Sequence, residues 1–442
     1  MKRILLIVLF AGLISCSEDK PLIEEPQVEA DLKIMRELAI ATGNSMQNQY
    51  AKEQVINLIK AKTDDSESIG FSTLLGKNDR YKKNELKHID KKIIGKNNNS
   101  FRDTFIEHII SNKETFPILM ELMGDSNYNL TQKTTGINLE NFNSEKYQLY
   151  FPYSENFDTE NISEYTTSYH PIVNEDKNEG FKYSLSSKSN TNELKMEEVD
   201  DDYAYRNPSL LIIPIDDVDG SEFSNTNEGS GGGNPITGGF LTTNVDHTTI
   251  SQKDVVKVII PKIKITKQTS GIFQPTRLTI YRASGDLKFG SDGLLLPSAT
   301  SYRLLYKKHV KRRDIRKKRW KTVNLTFDGD WDVHENTQQI VVFTHHTFKG
   351  SVDVKGSVKI GWDKEKNQAT FEPTASVDFS LKNGNCKLRY NNEISRRDVL
   401  SHLVGDTGAG TYYYKPDKTS YSKRKAGIMD YFFRVYYTDI PE

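Results

Sequence analysis

The chain has 442 residues, 60 basic and 60 acidic side chains, and a formal charge of zero. With 36% apolar residues, 27% charged residues and a mean hydropathy of −0.62, it is not a polytopic membrane protein, which would need several long apolar runs. It is not collagen-like or wholly disordered either, because 22 Tyr, 20 Phe and many aliphatic residues remain to build cores. At roughly 150 residues per domain, two or three units are expected.

The N-terminus reads as an export signal. Lys2 and Arg3 form a positive start, and Ile4 to Leu13 is an apolar stretch of ten residues, too short for a permanent span. It runs into Leu13-Ile14-Ser15-Cys16, which resembles the bacterial lipobox. The resemblance implies that residues 1–15 are removed and that Cys16 becomes an acylated, palmitate-carrying N-terminus. Cys16 and Cys386 are the two cysteines of the chain, so a lipidated Cys16 leaves no disulfide framework. Cys386 then reads as a small structural hydrophobe. Ser17-Glu18-Asp19 after the cysteine resembles the export tag of Bacteroidota surface lipoproteins, which implies an outer-membrane and outward-facing position. Residues 16–29 read as a tether.

Between 30 and 125 the apolar residues recur at helical spacing: Leu32, Met35, Leu38 and Ala39, then Val55, Ile56 and Ile59, then Phe101, Phe105, Ile109 and Ile110. Pro117 should open or kink the turn that runs from Ile118 to Met123. These stripes predict the core of a small bundle. From 145 to 225 the pattern changes to short strands, including Tyr147 to Tyr153 and Leu210 to Ile215. The segment Tyr203-Ala204-Tyr205-Arg206-Asn207-Pro208-Ser209-Leu210-Leu211-Ile212-Ile213, set between a helical start and a β-rich remainder, is similar to Bacteroidota lipoproteins from which no activity can be carried over. Residues 226–246, around Gly231-Gly232-Gly233, read as a Gly-rich linker. Strands are expected again at Val255 to Ile265, Arg277 to Arg282, Val323 to Phe327 and Tyr431 to Thr438, so that 247–442 forms a β-sandwich domain. The fold class expected is therefore α+β: a small helical N-terminal region followed by antiparallel β-domains.

Charge divides the chain. Residues 251–442 hold 35 Lys plus Arg against 20 Asp plus Glu, which leaves 25 and 40 for residues 1–250. The halves thus carry +15 and −15. The plain meaning is two separately folded units of different charge; the sharper one is that the halves dock electrostatically, or that a basic distal face meets an anionic partner. The basic excess peaks at 307–321, with Lys307, Lys308, Lys311, Arg312, Arg313, Arg316, Lys317, Lys318, Arg319 and Lys321 against the single acid Asp314. Ten cations in fifteen residues cannot be buried unpaired. The set Lys311, Arg312, Arg313, Arg316, Lys317, Lys318, Arg319 and Lys321 is the candidate anionic-partner site, for an acidic glycan, lipopolysaccharide or extracellular nucleic acid. The alternative is a solvated segment that balances the acidic half. The export signal disfavours intracellular nucleic acid.

A long hairpin follows. Even positions from Phe348 to Trp362 are apolar or Gly, and the same face resumes at Ala369, Phe371, Pro373, Ala375, Val377, Phe379 and Leu381. The period of two puts each set on one face. The plain reading is a hairpin covering one side of a sandwich, with Gly350, Gly356 and Pro373 suggesting bulges and an edge strand. The alternative is a membrane-inserting hairpin of a pore-former working through 348–381.

Enzyme motifs fail on inspection. His334-Glu335 has no His four residues on. His345 and His346 point to opposite faces of a strand. Asp328, Asp330 and Asp332 resemble the start of a calcium loop, but Val333 and Gln339 stand where Gly and Glu are needed, so a turn is expected and calcium is the one cofactor implied. Asp216, Asp217, Asp219 and Glu222 form a second acidic turn, and Gly405 to Gly410 reads as a turn without a phosphate-binding Lys. The leading expectation is a lipid-anchored, non-catalytic binding or structural protein of the outer membrane with its basic face toward an anionic partner. The alternatives are the pore-former and a hydrolase whose carboxylates come from distant positions.

Overall fold

The computed structural model describes residues 25–61, 66–76, 100–123, 144–158, 160–172, 176–185, 195–215, 245–246, 249–289, 295–345, 352–363, 368–370, 373, 375–383, 386–401, 403 and 410–439. The signal segment, Cys16, most of the Gly-rich stretch, the acidic turn at 216–222, His346, Gly350 and residues 405–409 lie outside them.

Helices open the chain: α1 (Glu25–Met46) and α2 (Gln49–Lys60), then strand β1 (Ser68–Gly70) and helices α3 (Phe71–Leu75), α4 (Phe101–Ser111) and α5 (Pro117–Met123). Local chemistry explains their limits. The Asn48 side chain caps α2 by accepting from the Tyr50 and Ala51 N–H groups, and Ser100 caps α4 through the Asp103 N–H. Pro117 is the first residue of α5, as expected of a proline with no N–H to satisfy. The freed N–H groups of Ile118 and Leu119 instead donate to the Glu37 carboxylate of α1, at 3.2 and 2.9 Å.

The helices pack on a sheet built from β1, β2 (Tyr147–Tyr150), β3 (Glu164–Tyr169), β4 (Asn178–Ser184), β5 (Lys195–Val199) and, after the short helix α6 (Asp201–Arg206), β6 (Ser209–Pro214). The strand order is β1-β2-β6-β3-β4-β5, and the β3–β6 pair is parallel within an otherwise antiparallel sheet. Leu38, Val55, Phe105 and Ile109 share one core with Tyr165, Phe181, Leu210 and Ile212. The helical and the early β-rich stretches therefore close over a common interior. Leu211 and Ile213 point the other way, toward Ile272 and Phe273 of the C-terminal half. Burial on both faces is why β6 reads as a continuous apolar run.

The C-terminal half is built from β7 (Val255–Ile265), β8 (Thr276–Phe289), β9 (Leu295–Val310), helix α7 (Arg312–Arg316), β10 (Lys321–Asp328), β11 (Thr337–His345), β12 (Val352–Ile360), β13 (Trp362–Asp363), β14 (Gln368–Ala369), β15 (Ala375–Asn383) and β16 (Cys386–Ser395). It ends with α8 (Arg396–Leu400), β17 (Thr411–Tyr414), β18 (Thr419–Ser422), β19 (Arg424–Ala426), β20 (Met429–Tyr431) and β21 (Arg434–Thr438). One sheet runs β10-β7-β20-β19, with β21 also on β7, and a second runs β16-β11-β8-β9. Val256, Val258 and Ile260 of the first meet Leu278, Ile280, Ile340 and Val342 of the second in one core. The fold is thus α+β and mostly β, with N-terminal helices followed by mainly antiparallel sheets.

The hairpin forms a third layer. β12 and β15 pair without a register shift from Val352↔Asn383 to Ile360↔Ala375. Val354, Val358, Phe379 and Leu381 bury their face against Tyr281, Ala283, Val341 and Phe343. All nine residues of β11 are consequently buried. The expectation of a bulge at Gly356 is corrected. The register is regular there, and a Cβ would lie 2.5 Å from Phe379 Cζ, so the glycine makes room for a cross-strand ring. Among the described residues, no helix is long and apolar enough to cross a membrane.

Candidate functional site

The basic run folds as the end of β9, the single turn α7 and the start of β10. Ile315, 3% exposed, anchors the turn in the sandwich core. Lys318 adopts φ +49, and the Arg319 N–H donates to the Asp314 carbonyl at 2.9 Å, which closes the turn. The cations of the run therefore divide between two directions.

Three arginines turn toward the acidic half. Arg312 is 1% exposed. Its Nε donates to Tyr150 Oη at 3.0 Å, one terminal nitrogen pairs with Asp201 at 2.7 Å, and the other donates to the Ser270, Gly271 and Gln274 carbonyls. Arg316 bridges Asp201 and Asp202 at 3.3 and 2.8 Å and lies 4.0 Å over the Tyr205 ring. Arg313 donates to the Glu155 carbonyl at 3.3 Å. Asp200-Asp201-Asp202 supply both the acid partners and, through Asp200, the N-cap of α6. The Arg312 side chain, sealed inside the chain, has no surface to offer an external partner, because its donors are spent on the junction between the halves.

Glu67 lies in the same junction at 4% exposure with φ +56; its carboxylate accepts the Tyr153 N–H at 3.1 Å and the Arg312 N–H at 3.4 Å. Burial, and then the nearby charge of Glu155, push its pKa well above the ordinary carboxylate value.

Of the remaining cations, three face outward. Lys317, Lys318 and Arg319 are exposed, with Arg319 also reaching Asp314 at 3.4 Å, and Lys311 and Lys321 are half-buried. Beside them Trp320 packs at 4.4 Å from Tyr412 and 5.8 Å from Phe432, and Lys264 lies 5.2 Å over the Trp320 ring. Tyr413, on the same strand β17, is 55% exposed.

A cleft of about 400 Å³ opens between β9 and β10, lined by Leu304, Leu305, Lys307, Lys308, Lys321 and Val323. Sequence reasoning placed the lysines in the run but missed the cleft. The signal was the adjacent pair Leu304-Leu305, which breaks strand alternation because Leu305 is the extra residue of a bulge: Ile280 faces Tyr306 and Tyr281 faces Leu304.

The acidic turn after β10 is committed to the protein itself. Asp328 pairs with Arg282 at 2.6 Å and accepts from Gln338 at 2.5 Å, Asp330 accepts the Val256 N–H at 3.1 Å, and Asp332 pairs with His334 at 2.6 Å. Among the described residues, no group of three or more His, Cys, Asp or Glu could hold a metal ion. His345 bonds Thr279 Oγ1 at 2.6 Å inside the core. Cys386 is 2% exposed, and burial pushes its thiol up to about 12, far from nucleophilic reactivity at neutral pH. Compared with protein families, curated proteins and solved structures, the chain matches none.

Proposed function

We propose that the chain is an exported, lipid-anchored, non-catalytic binding protein of the outer membrane, whose outward cations hold an anionic glycan or the phosphates of lipopolysaccharide. One observation carries the binding part. After the acidic half has taken up Arg312, Arg313 and Arg316, the triplet Lys317, Lys318 and Arg319 stays exposed on a turn that Ile315 pins in place. Exposed ammonium and guanidinium groups of this kind pair with phosphates or carboxylates. The address rests on the Leu13-Ile14-Ser15-Cys16 segment and the Ser-acidic-acidic tag behind it.

Replacing Lys317, Lys318 and Arg319 together by Ser should leave the melting profile intact and abolish salt-dependent retention on an immobilised anionic polysaccharide. Unchanged retention removes this face. Labelled palmitate should enter the wild-type chain and not Cys16→Ser; a wild-type chain that stays unlabelled removes the anchor.

A further inference from the structure

We infer that the cleft between β9 and β10 is a binding site for a single-chain anionic amphiphile, a carboxylate on an alkyl chain of fatty-acid type. The inference goes beyond polymer binding by the Lys317–Arg319 triplet, none of whose residues lines the cleft.

Among the described residues both walls are edge strands: β9 pairs with β8 alone and β10 with β7 alone. An open edge usually invites another strand, but here both edges are bent at the cleft. In β9, Leu305 is the extra residue. In β10, the register slips between Thr322 and Leu325, where Asn324 takes φ +48 opposite Pro261 of β7. A proline has no N–H for the ladder, so the partner strand bulges around it. Bulges and lysines on edges oppose strand addition, which leaves side-chain recognition as the way to fill the cleft.

The side chains define the ligand's two ends. Leu304 is 38% exposed, while Leu305 and Val323 are partly buried against the sandwich core. An apolar lining continuous with the core favours an alkyl chain. Lys307, Lys308 and Lys321 supply cations, and no carboxylate is among the residues that line the cleft. That charge is complementary to an anionic head and unfavourable for a cationic one. A hydrophilic sugar polymer would leave the leucines unused. At about 400 Å³ the cleft lies near the lower end of small-ligand pockets, which suits one chain better than two.

The test is equilibrium dialysis of radiolabelled dodecanoate against the full chain carrying Cys16→Ser, so that no acyl group of its own competes. Saturable one-site binding is expected, with dodecanol and acetate failing to displace it. Leu304→Glu and Lys308→Glu, both at exposed positions, should each weaken binding by about tenfold or more, whereas the triple Ser variant at 317–319 should bind dodecanoate as wild type does. Absence of saturable binding, equal displacement by dodecanol, or insensitivity to both Glu variants overturns the site. Because the triplet variant reports on the polymer alone, dodecanoate binding without polysaccharide retention would sink only the polymer reading, and the converse only this one.

Discussion

Glu335 is 4% exposed, and its carboxylate accepts from the Gly285 N–H and, at 2.6 Å, from Gln338. Burial raises its pKa from 4.5 to about 8, and the neighbouring Asp328 charge adds to the rise against the opposing pull of Gln338, Gly285 and Arg282. The folded state therefore holds a proton that the unfolded chain has already released over this interval. Since the folded form binds more protons, stability is fully present below about 4.5 and is lost as pH rises toward about 8. Glu67, shifted the same way by burial, adds to that slope. Glu335→Gln should flatten the pH dependence and leave the variant more stable than wild type at pH 8, by on the order of a few kcal/mol. Urea unfolding at pH 5 and pH 8 measures this, and parallel wild-type and variant curves would refute it. In the sequence, Glu335 is one carboxylate beside an acidic turn. What perturbs it is the burial created where β8, the Trp331 loop and β11 meet, contacts separated by about fifty positions in the chain.

Strand pairs show a similar division at a larger scale. The alternation of Val352, Val354, Val358 and Ile360 located the buried face of β12 before any tertiary information, because a period of two leaves no other arrangement. Gly356 was misread for want of its partner. Its Cα opposes Phe379, 5% exposed, whose ring occupies the space a side chain would need. Gly356→Ala should cost about 1–3 kcal/mol through overpacking, while pairing it with Phe379→Leu should recover part of the loss. A double-mutant cycle by urea unfolding reads the coupling, and simple additivity would show that the ring and the glycine do not depend on each other. The same limit explains the missed cleft: Leu305 and Asn324 are local irregularities, and they become a site only where two edge strands of different sheets lie side by side.

One fully buried guanidinium, that of Arg312, stands where the two halves meet. Removing it strands the Tyr150 hydroxyl and three backbone carbonyls at the junction. Arg312→Ala should therefore cost about 3–5 kcal/mol, and Arg312→Lys should rescue little, because a point ammonium cannot span five acceptors in a plane. Loss of cooperativity in thermal unfolding, with the halves melting separately, is the expected signature; a single unshifted transition would show that Ile272 and Phe273 hold the junction without it. The opposed charges of the halves, +15 and −15, are legible in the sequence and leave docking as one meaning beside separately folded units and a basic face toward a partner. Nothing in the run distinguished Arg312 from Arg319, seven positions later, which faces solvent.

Composition and periodicity were enough to set the α+β order of elements, the faces of the strands and the charge of each half, since these depend on neighbours a few residues apart. Which cations are sealed in the junction, which remain outside and where a cleft forms between two edges depended on contacts between segments more than a hundred residues apart or on different sheets. Such contacts form only once the chain has folded, because burial and pairing belong to the space around a side chain and leave no local pattern along it.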